Sequence, residues 1–206
     1  MHNIPVEIPD TLWMFGHLED YENPKAKISH LVRSGVLIRL KRGVYLNADS
    51  AADPYILGKA ANRLYGPSYV SFTYALRWHG LIPEHVHSIT SATFRKGRKK
   101  RYDTPVGSFL YRDVPESAYP QGIVFAEGRE KRFLLACPEK ALCDQLYTLS
   151  GVRSIVGIEA LLFEDLRVDW EQFKALDSKK MMEYADEYHT VTLDNFGKYL
   201  ARGVYG

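Results

Sequence analysis

The sequence predicts an α+β fold in two parts, a short N-terminal unit of helices and a hairpin followed by a larger domain. Three features support this prediction. A helix-start signal followed by an alternating apolar and polar run lies before residue 48, residues 47–53 are small and polar, and several strand-like runs lie between residues 88 and 136. The expected division is therefore residues 1–48 and residues 49–206.

The N-terminal unit is expected to contain two helices. A first helix covers about residues 10–18, and a second begins at Asn23 and Pro24, an N-cap residue followed by proline at the first helical position. Gly35 is the expected stop signal. The apolar face of the second helix consists of Ile28, Leu31 and Val32. We expect this face to pack against the first helix, which leaves the opposite face exposed.

A β-hairpin is predicted to follow the second helix. Residues 36–41 alternate, so one strand face should be apolar, formed by Val36, Ile38 and Leu40. Arg42 and Gly43 form a turn into a second short strand over residues 44–46. The hairpin should therefore carry a basic tip.

The charge of this unit indicates nucleic-acid binding. Residues 23–48 contain six Lys or Arg and no acid, whereas residues 1–22 contain five acids and no Lys or Arg. A helix with a polar outer face followed by a basic hairpin is typical of a winged helix, in which the helix enters the major groove and the wing contacts phosphate. The predicted DNA-binding residues are Lys25, Lys27, Ser29, His30, Arg33, Arg39, Lys41 and Arg42. Among them, Ser29, His30 and Arg33 are the candidates for base contacts; the alternative is a solvated surface.

A second basic block lies in the larger domain, between two predicted strands. It consists of Arg95, Lys96, Arg98, Lys99, Lys100 and Arg101. Six neighbouring cations repel one another, and an anionic partner such as DNA, RNA or an acidic protein surface would relieve this repulsion. The sequence predicts an exposed hairpin tip and a possible second site for an anionic partner, with a solvated loop as the alternative.

The larger domain is predicted to combine a small, mostly antiparallel sheet with C-terminal helices. Helices are expected over residues 54–64 and 71–79, and strands over residues 88–94, 107–114, 123–126 and 132–136. Pro138 begins a further helix, and three or four more helices should fill the remainder. We expect this domain to bury a core of its own.

Several classes of protein are disfavoured. No apolar run approaches the roughly 20 residues that a membrane span requires, and no secretory leader is evident, so we expect a cytoplasmic protein without membrane contact. Cys137 and Cys143 should be reduced thiols. Their number, with mostly scattered histidines, predicts neither a metal site nor a cofactor.

Enzyme function is also disfavoured, since no phosphate-binding glycine loop and no nucleophile elbow occur. The best set for a metal-dependent nuclease is Asp113, Glu127 and Lys131, whose spacing is a weak signal. We therefore expect no catalytic site.

Residues 28–46, ISHLVRSGVLIRLKRGVYL, resemble the end of the winged helix-turn-helix of AbiEi-family antitoxins, which closes on a similar LKRGVY signature. Three further segments resemble the same family: residues 68–76 (SYVSFTYAL), 79–84 (HGLIPE) and 137–147 (CPEKALCDQLY). The resemblance covers about residues 23–147. It departs from the family pattern in one respect, because only one clear helix precedes the expected recognition helix.

The resemblance implies the antitoxin of a type IV toxin-antitoxin system acting in abortive infection and phage defence. Such an antitoxin neutralises a nucleotidyltransferase-like toxin encoded beside it, without a tight complex, and binds double-stranded operator DNA to repress their shared operon. We expect a monomer in solution. The alternative is a stand-alone winged-helix transcriptional regulator without a toxin partner.

Overall fold

The computed structural model describes residues 4–84, 87–126, 132–149 and 151–203, and it shows a mixed α/β protein with two sheets. The helices are α1 (Thr11–His17), α2 (Pro24–Arg33), α3 (Pro54–Leu64), α4 (Phe72–Trp78), α5 (Pro138–Tyr147), α6 (Ile155–Ala160), α7 (Trp170–Lys174), α8 (Ser178–Asp186) and α9 (Val191–Ala201). The strands are β1 (Leu37–Lys41), β2 (Val44–Asn47), β3 (Tyr69–Val70), β4 (Ser88–Thr93), β5 (Lys100–Thr104), β6 (Gly107–Asp113), β7 (Ile123–Ala126) and β8 (Phe133–Ala136). A 3₁₀ turn (Ala48–Ser50) follows β2, and a π-helical turn (Leu161–Asp165) extends α6.

The larger sheet has six strands in the order β5-β6-β4-β3-β8-β7. The sheet is mixed: the three antiparallel pairs agree with the prediction of a mostly antiparallel sheet, whereas the parallel β4–β6 and β3–β8 pairs were not predicted. The parallel β4–β6 pair arises because the chain leaves β4, crosses the end of β6, forms the edge strand β5 and then returns as β6. Local alternation cannot reveal such a crossing.

Most predicted elements of the larger domain are confirmed within one or two residues, including α3, α5, β4, β6, β7 and β8. Two strands were not predicted. Strand β3 has only two residues, and β5 begins within the basic block and lacks apolar alternation. Their positions are fixed by pairing with strands distant in sequence.

The N-terminal unit consists of α1, α2 and the antiparallel β1–β2 hairpin. The side chain of Asn23 accepts a hydrogen bond from Ala26 N at 3.0 Å and caps α2 as predicted. The unit has a separate small core of Ile4, Met14, Leu18, Ile28, Leu31, Leu37 and Tyr45. The predicted packing of the apolar face of α2 against the first helix is therefore confirmed.

The predicted apolar face of β1 is wrong at its first residue. Val36 is 37% exposed, whereas Leu37 is buried at 1%. Leu40 is buried too, and the register of β1 against β2 shifts between Arg39 and Lys41. This shift breaks the strict alternation on which the prediction rested, and it lets Leu37 and Leu40 enter two different cores.

The main core crosses the predicted boundary at residue 48. Ile8, Leu40, Val44 and Leu46 belong to the same buried cluster as the sheet and helices of the larger part. Leu46 is fully buried. The two-domain division and the expectation that the larger part buries a core of its own stay predictions, and the structure shows that the hairpin contributes residues to that core.

A buried polar network fixes α5 to the rest of the larger part. Lys140 and Asp144 lie one turn apart on α5, both are fully buried, and Lys140 Nζ lies 2.9 Å from Asp144 Oδ1. The carboxylate also accepts hydrogen bonds from Ser71 Oγ, from Tyr69 OH and from Tyr188 OH. Burial, together with the neighbouring Asp144 carboxylate, raises the pKa of both Tyr69 and Tyr188 well above the ordinary value. The network therefore connects α5 with β3, the start of α4 and the end of α8.

Replacing Lys140 by Met should lower the free energy of unfolding by about 3–5 kcal/mol, because the Asp144 carboxylate would stay buried without its cation. Combining this change with Asp144→Asn should recover part of the loss. Lys179→Met is the control, since Lys179 and Glu183 form an exposed pair with the same i,i+4 spacing on α8. Urea unfolding measures all three variants, and equal effects of Lys140→Met and Lys179→Met would contradict the importance of the network.

Candidate nucleic-acid interface

The outer face of α2 is exposed as the sequence predicted. Lys25, Ser29, His30 and Arg33 are exposed, while Ile28 on the other face is buried. Ser29 Oγ donates a hydrogen bond to the carbonyl oxygen of Lys25 at 3.0 Å, so its hydroxyl still has acceptor capacity. This face presents polar and cationic side chains without an acid.

A shallow concave surface lies between α2 and β1. It is lined by Ala26, Ser29, Val32, Arg33 and Arg39. The guanidinium of Arg39 lies 5.9 Å from the centre of the Tyr45 ring, and within the described part of the chain neither Arg33 nor Arg39 has an ion-pair partner. The structure thus brings together Ser29 and Arg33 from the helix with Arg39 from the hairpin. We call this the α2–β1 surface.

The two cations at the tip of the hairpin, Lys41 and Arg42, have different surroundings. Arg42 is exposed in the turn, where Gly43 adopts a positive φ of 82°. Lys41 is half-buried instead, and its ammonium donates to the carbonyl oxygen of Leu64 at the end of α3, at 2.6 Å. The ammonium also lies 5.9 Å from the centre of the Tyr102 ring. Lys41 therefore attaches the hairpin to the larger part of the protein.

Lys27 is half-buried, and its ammonium lies 4.9 Å from the centre of the ring of Tyr21, in the connection between α1 and α2. The acids before α2 are partly neutralised by α3. Glu7 pairs with Lys59 at 3.0 Å, and Asp10 pairs with Arg63 at 2.6 Å. The hydrogen bond from Trp13 N, followed by the contact with Arg63, holds the pKa of Asp10 below its ordinary value. Two of the five acids in residues 1–22 are thus paired with cations of α3.

The second basic block is a crossover connection rather than a hairpin tip. Strands β4 and β5 are not neighbours, since β6 lies between them. Residues 94–99, which we call the cationic loop, pass over the end of β6, and Lys100 and Arg101 belong to strand β5. Because β4 and β6 are parallel, their carboxyl ends meet under this loop.

Asp113 at the end of β6 holds the cationic loop in place. Its Oδ2 accepts hydrogen bonds from Lys96 N at 2.8 Å and Gly97 N at 2.7 Å, and its Oδ1 accepts one from Thr93 Oγ1 at 2.6 Å. Sequence reasoning placed Asp113 in a nuclease set with Glu127 and Lys131, both of which lie outside the described residues. In the structure Oδ2 of Asp113 binds the cationic loop, and Oδ1 binds the end of β4.

The six cations of the block differ in their contacts. Three are engaged: Arg95 pairs with Glu116 at 2.6 Å, Arg101 pairs with Asp103 at 2.7 Å, and Lys96 Nζ donates to Gly66 O at 3.1 Å. Lys100 lies with its ammonium 5.1 Å from the centre of the Tyr102 ring. Arg98 and Lys99 are exposed and form no ion pair with any described residue. Charge density in the sequence thus overstates the number of free cations.

Arg112 on β6 is a further cation that the sequence analysis missed. It is half-buried, and no hydrogen bond or ion pair joins its guanidinium to the rest of the described chain. A single arginine near the end of a strand is a common pattern, so only its position beside the cationic loop distinguishes it.

Cys137 and Cys143 are free thiols, and burial raises the pKa of Cys137 to about 11. Over the described ranges, no three His, Cys, Asp or Glu side chains are grouped as a metal site would require. None of the described helices is both long enough and apolar enough to cross a membrane.

No family model and no curated protein matches this sequence. Among the solved structures that match is the crystal structure of the RV2827C protein from Mycobacterium tuberculosis, with a TM-score of 0.56 and 13% sequence identity. The match covers 97% of this chain and 73% of the mycobacterial chain. The similarity therefore concerns the fold of the whole chain.

The different roles of the two hairpin cations can be separated by mutation. Lys41→Ala should lower the free energy of unfolding by roughly 1–2 kcal/mol, because it removes a charged donor from the Leu64 carbonyl oxygen. Arg42→Ala, its exposed neighbour, should leave stability within about 0.5 kcal/mol of the unmodified protein. Urea denaturation at constant salt measures both. A stable Lys41→Ala variant would show that this contact contributes nothing to holding the hairpin.

Proposed function

We propose that this protein is a DNA-binding antitoxin of the AbiEi type, whose N-terminal unit acts as a winged helix on double-stranded operator DNA. The observation that carries the DNA-binding part is the α2–β1 surface, where Arg33 and Arg39 converge on one concavity beside Ser29. Helix α2 acts as the recognition helix and the β1–β2 hairpin acts as the wing.

The dimensions and charges of this unit support DNA binding. Helix α2 has ten residues, which corresponds to a length of about 15 Å, and an α-helix fits the major groove of B-form DNA, about 12 Å wide. Arg33 and Ser29 point away from the buried face of α2 and are the candidates for base contacts. Lys25, Arg39 and Arg42 flank them as candidates for phosphate contacts. Lys41 serves to position the wing, since its ammonium already binds Leu64.

The antitoxin part of the proposal rests on the resemblance in residues 28–46, 68–76, 79–84 and 137–147. The alternative is a regulator that binds DNA through the same surface but has no toxin partner. Co-expression with the neighbouring gene distinguishes the two. If that gene encodes a nucleotidyltransferase-like protein that stops growth, this protein should restore growth, and failure to do so favours the regulator.

Removing Arg39 should weaken DNA binding through lost counterion release. Arg39→Ala should reduce the slope of log K against log salt by about 0.9 for the one phosphate contact removed, on operator and random duplexes alike. Lys198→Ala is the control, because Lys198 is also an exposed cation and lies on α9, which packs against α5, α6 and α8. Fluorescence anisotropy with the DNA upstream of the gene measures the slope. An unchanged slope for Arg39→Ala would remove β1 from the interface.

Arg33→Ala should act differently, because a bidentate arginine contact with guanine discriminates by about 1–3 kcal/mol. We expect this variant to lose its preference for the upstream DNA over a scrambled duplex and to keep most of its non-specific affinity. Competition binding with the two duplexes measures the ratio. Equal losses on both duplexes would assign Arg33 to phosphate, and no loss on either would exclude α2 as the recognition helix.

A further inference from the structure

A cavity of about 450 Å³ lies beside the cationic loop, between strands β4, β5 and β6 and the helices α4 and α5. It is separate from the α2–β1 surface. Small-molecule sites in proteins have volumes of about 300–1,000 Å³, and a DNA duplex does not fit into a cavity of this kind. The cavity therefore has the size of a site for a small molecule.

The strand register shows which cations belong to this cavity. Arg101 pairs with Leu110 across β5 and β6, and Arg112 lies two residues further along β6, so all three share one face of the sheet. Thr90 of β4 is level with Leu110 and binds the start of α4 through Ser71 O and Tyr74 N. This is the face on which α4 packs. Lys100 also lines the cavity, but it pairs with Tyr111, so its side chain belongs to the opposite face, where its ammonium lies 5.1 Å from the centre of the Tyr102 ring.

Besides Lys100, two cations that line the cavity have no ion-pair partner in the described chain. Arg101 uses its Nε to bind Asp103 and its Nη2 to bind Ser108, whereas Lys99 and Arg112 have no ion pair within the described chain. None of the described residues that line the cavity is acidic. Asp113 borders an adjoining depression, but its Oδ2 accepts hydrogen bonds from the cationic loop and its Oδ1 accepts one from Thr93 of β4. A half-buried guanidinium without an ion-pair partner among the described residues favours an anionic ligand.

A second observation concerns Gln145 on α5. This side chain is only 8% exposed and lines the cavity, yet over the described residues its single hydrogen bond is a long one of 3.5 Å to Thr148 Oγ1. A carboxamide has two donor hydrogens and an acceptor oxygen, so most of its capacity is unused. The remaining capacity of this amide is available to a polar group of a ligand in the cavity.

We propose that this cavity binds a mononucleotide. Phosphate oxygens are acceptors only, and they match the donors of Lys99 and Arg112 with charge-assisted hydrogen bonds. Phe72 and Leu110 provide an apolar wall for the base, and Gln145 supplies donors and an acceptor to its polar edge. The inference does not depend on DNA binding by the N-terminal unit, because it uses none of the same residues.

Calorimetric titration of the full chain with ATP, GTP, CTP and UTP, and with pyrophosphate as the base-free probe, tests the proposal. We expect saturable binding of at least one nucleotide. Arg112→Gln and Lys99→Gln should each weaken it about tenfold or more, as expected for the loss of a charge-assisted hydrogen bond. Arg95→Gln is the matched control, since Arg95 lies in the same loop but pairs with Glu116 and does not line the cavity.

Circular dichroism checks that each variant is folded. If Arg112→Gln does not fold, Lys99→Gln still tests the proposal, because Lys99 is exposed and its replacement should not disturb the fold. Gln145→Leu should reduce binding of nucleotides but not of pyrophosphate. Pyrophosphate binding as tight as nucleotide binding would overturn the nucleotide assignment and leave a bare phosphate site. Absence of saturable binding at millimolar nucleotide would overturn the proposal. If the unmodified protein binds no nucleotide and Lys99→Gln and Arg112→Gln weaken DNA binding, the proposal is also overturned.

Discussion

The arrangement of the larger part depends on one buried ion pair, Lys140 with Asp144. Two charges in the interior are tolerated only when their remaining hydrogen-bonding capacity is used, and here three hydroxyl groups from other elements use it. The carboxylate thereby fixes β3 and the start of α4 against α5. Gln145 and Thr148 follow directly on that helix, so the same pair also determines where the polar wall of the cavity lies.

The sequence predicted the elements that local patterns determine. Capping at Asn23, the apolar stripe of α2 and proline at the start of α5 all correspond to the observed structure. The sequence did not predict features that depend on contacts between segments distant in the chain. The i,i+4 spacing of Lys140 and Asp144 is the ordinary pattern of an exposed helix pair, and nothing local indicates that both side chains are fully buried. The pairing of β5 with β6, which converts a supposed hairpin tip into a crossover, is likewise non-local.

The candidate interface was predictable in its location and less so in its details. Exposure of Ser29, His30 and Arg33 follows from helical periodicity, because the opposite face is apolar. Charge alone could not separate cations that hold the fold from cations that remain free. Lys41 and Lys96 both donate to backbone carbonyl oxygens, and Arg112, a single cation in a strand, was overlooked. Such roles depend on what lies across from each side chain in space.

The core that the hairpin shares with the larger part determines how the N-terminal unit is attached to it. Because Leu40, Val44 and Leu46 are buried among residues of the larger part, the β1–β2 hairpin is embedded in it rather than tethered to it. The polar residues 47–53 therefore form a rigid connection rather than a flexible linker. Helix α2 is therefore held in a fixed orientation, and any tilt of the hairpin against β5 would also move the α2–β1 surface.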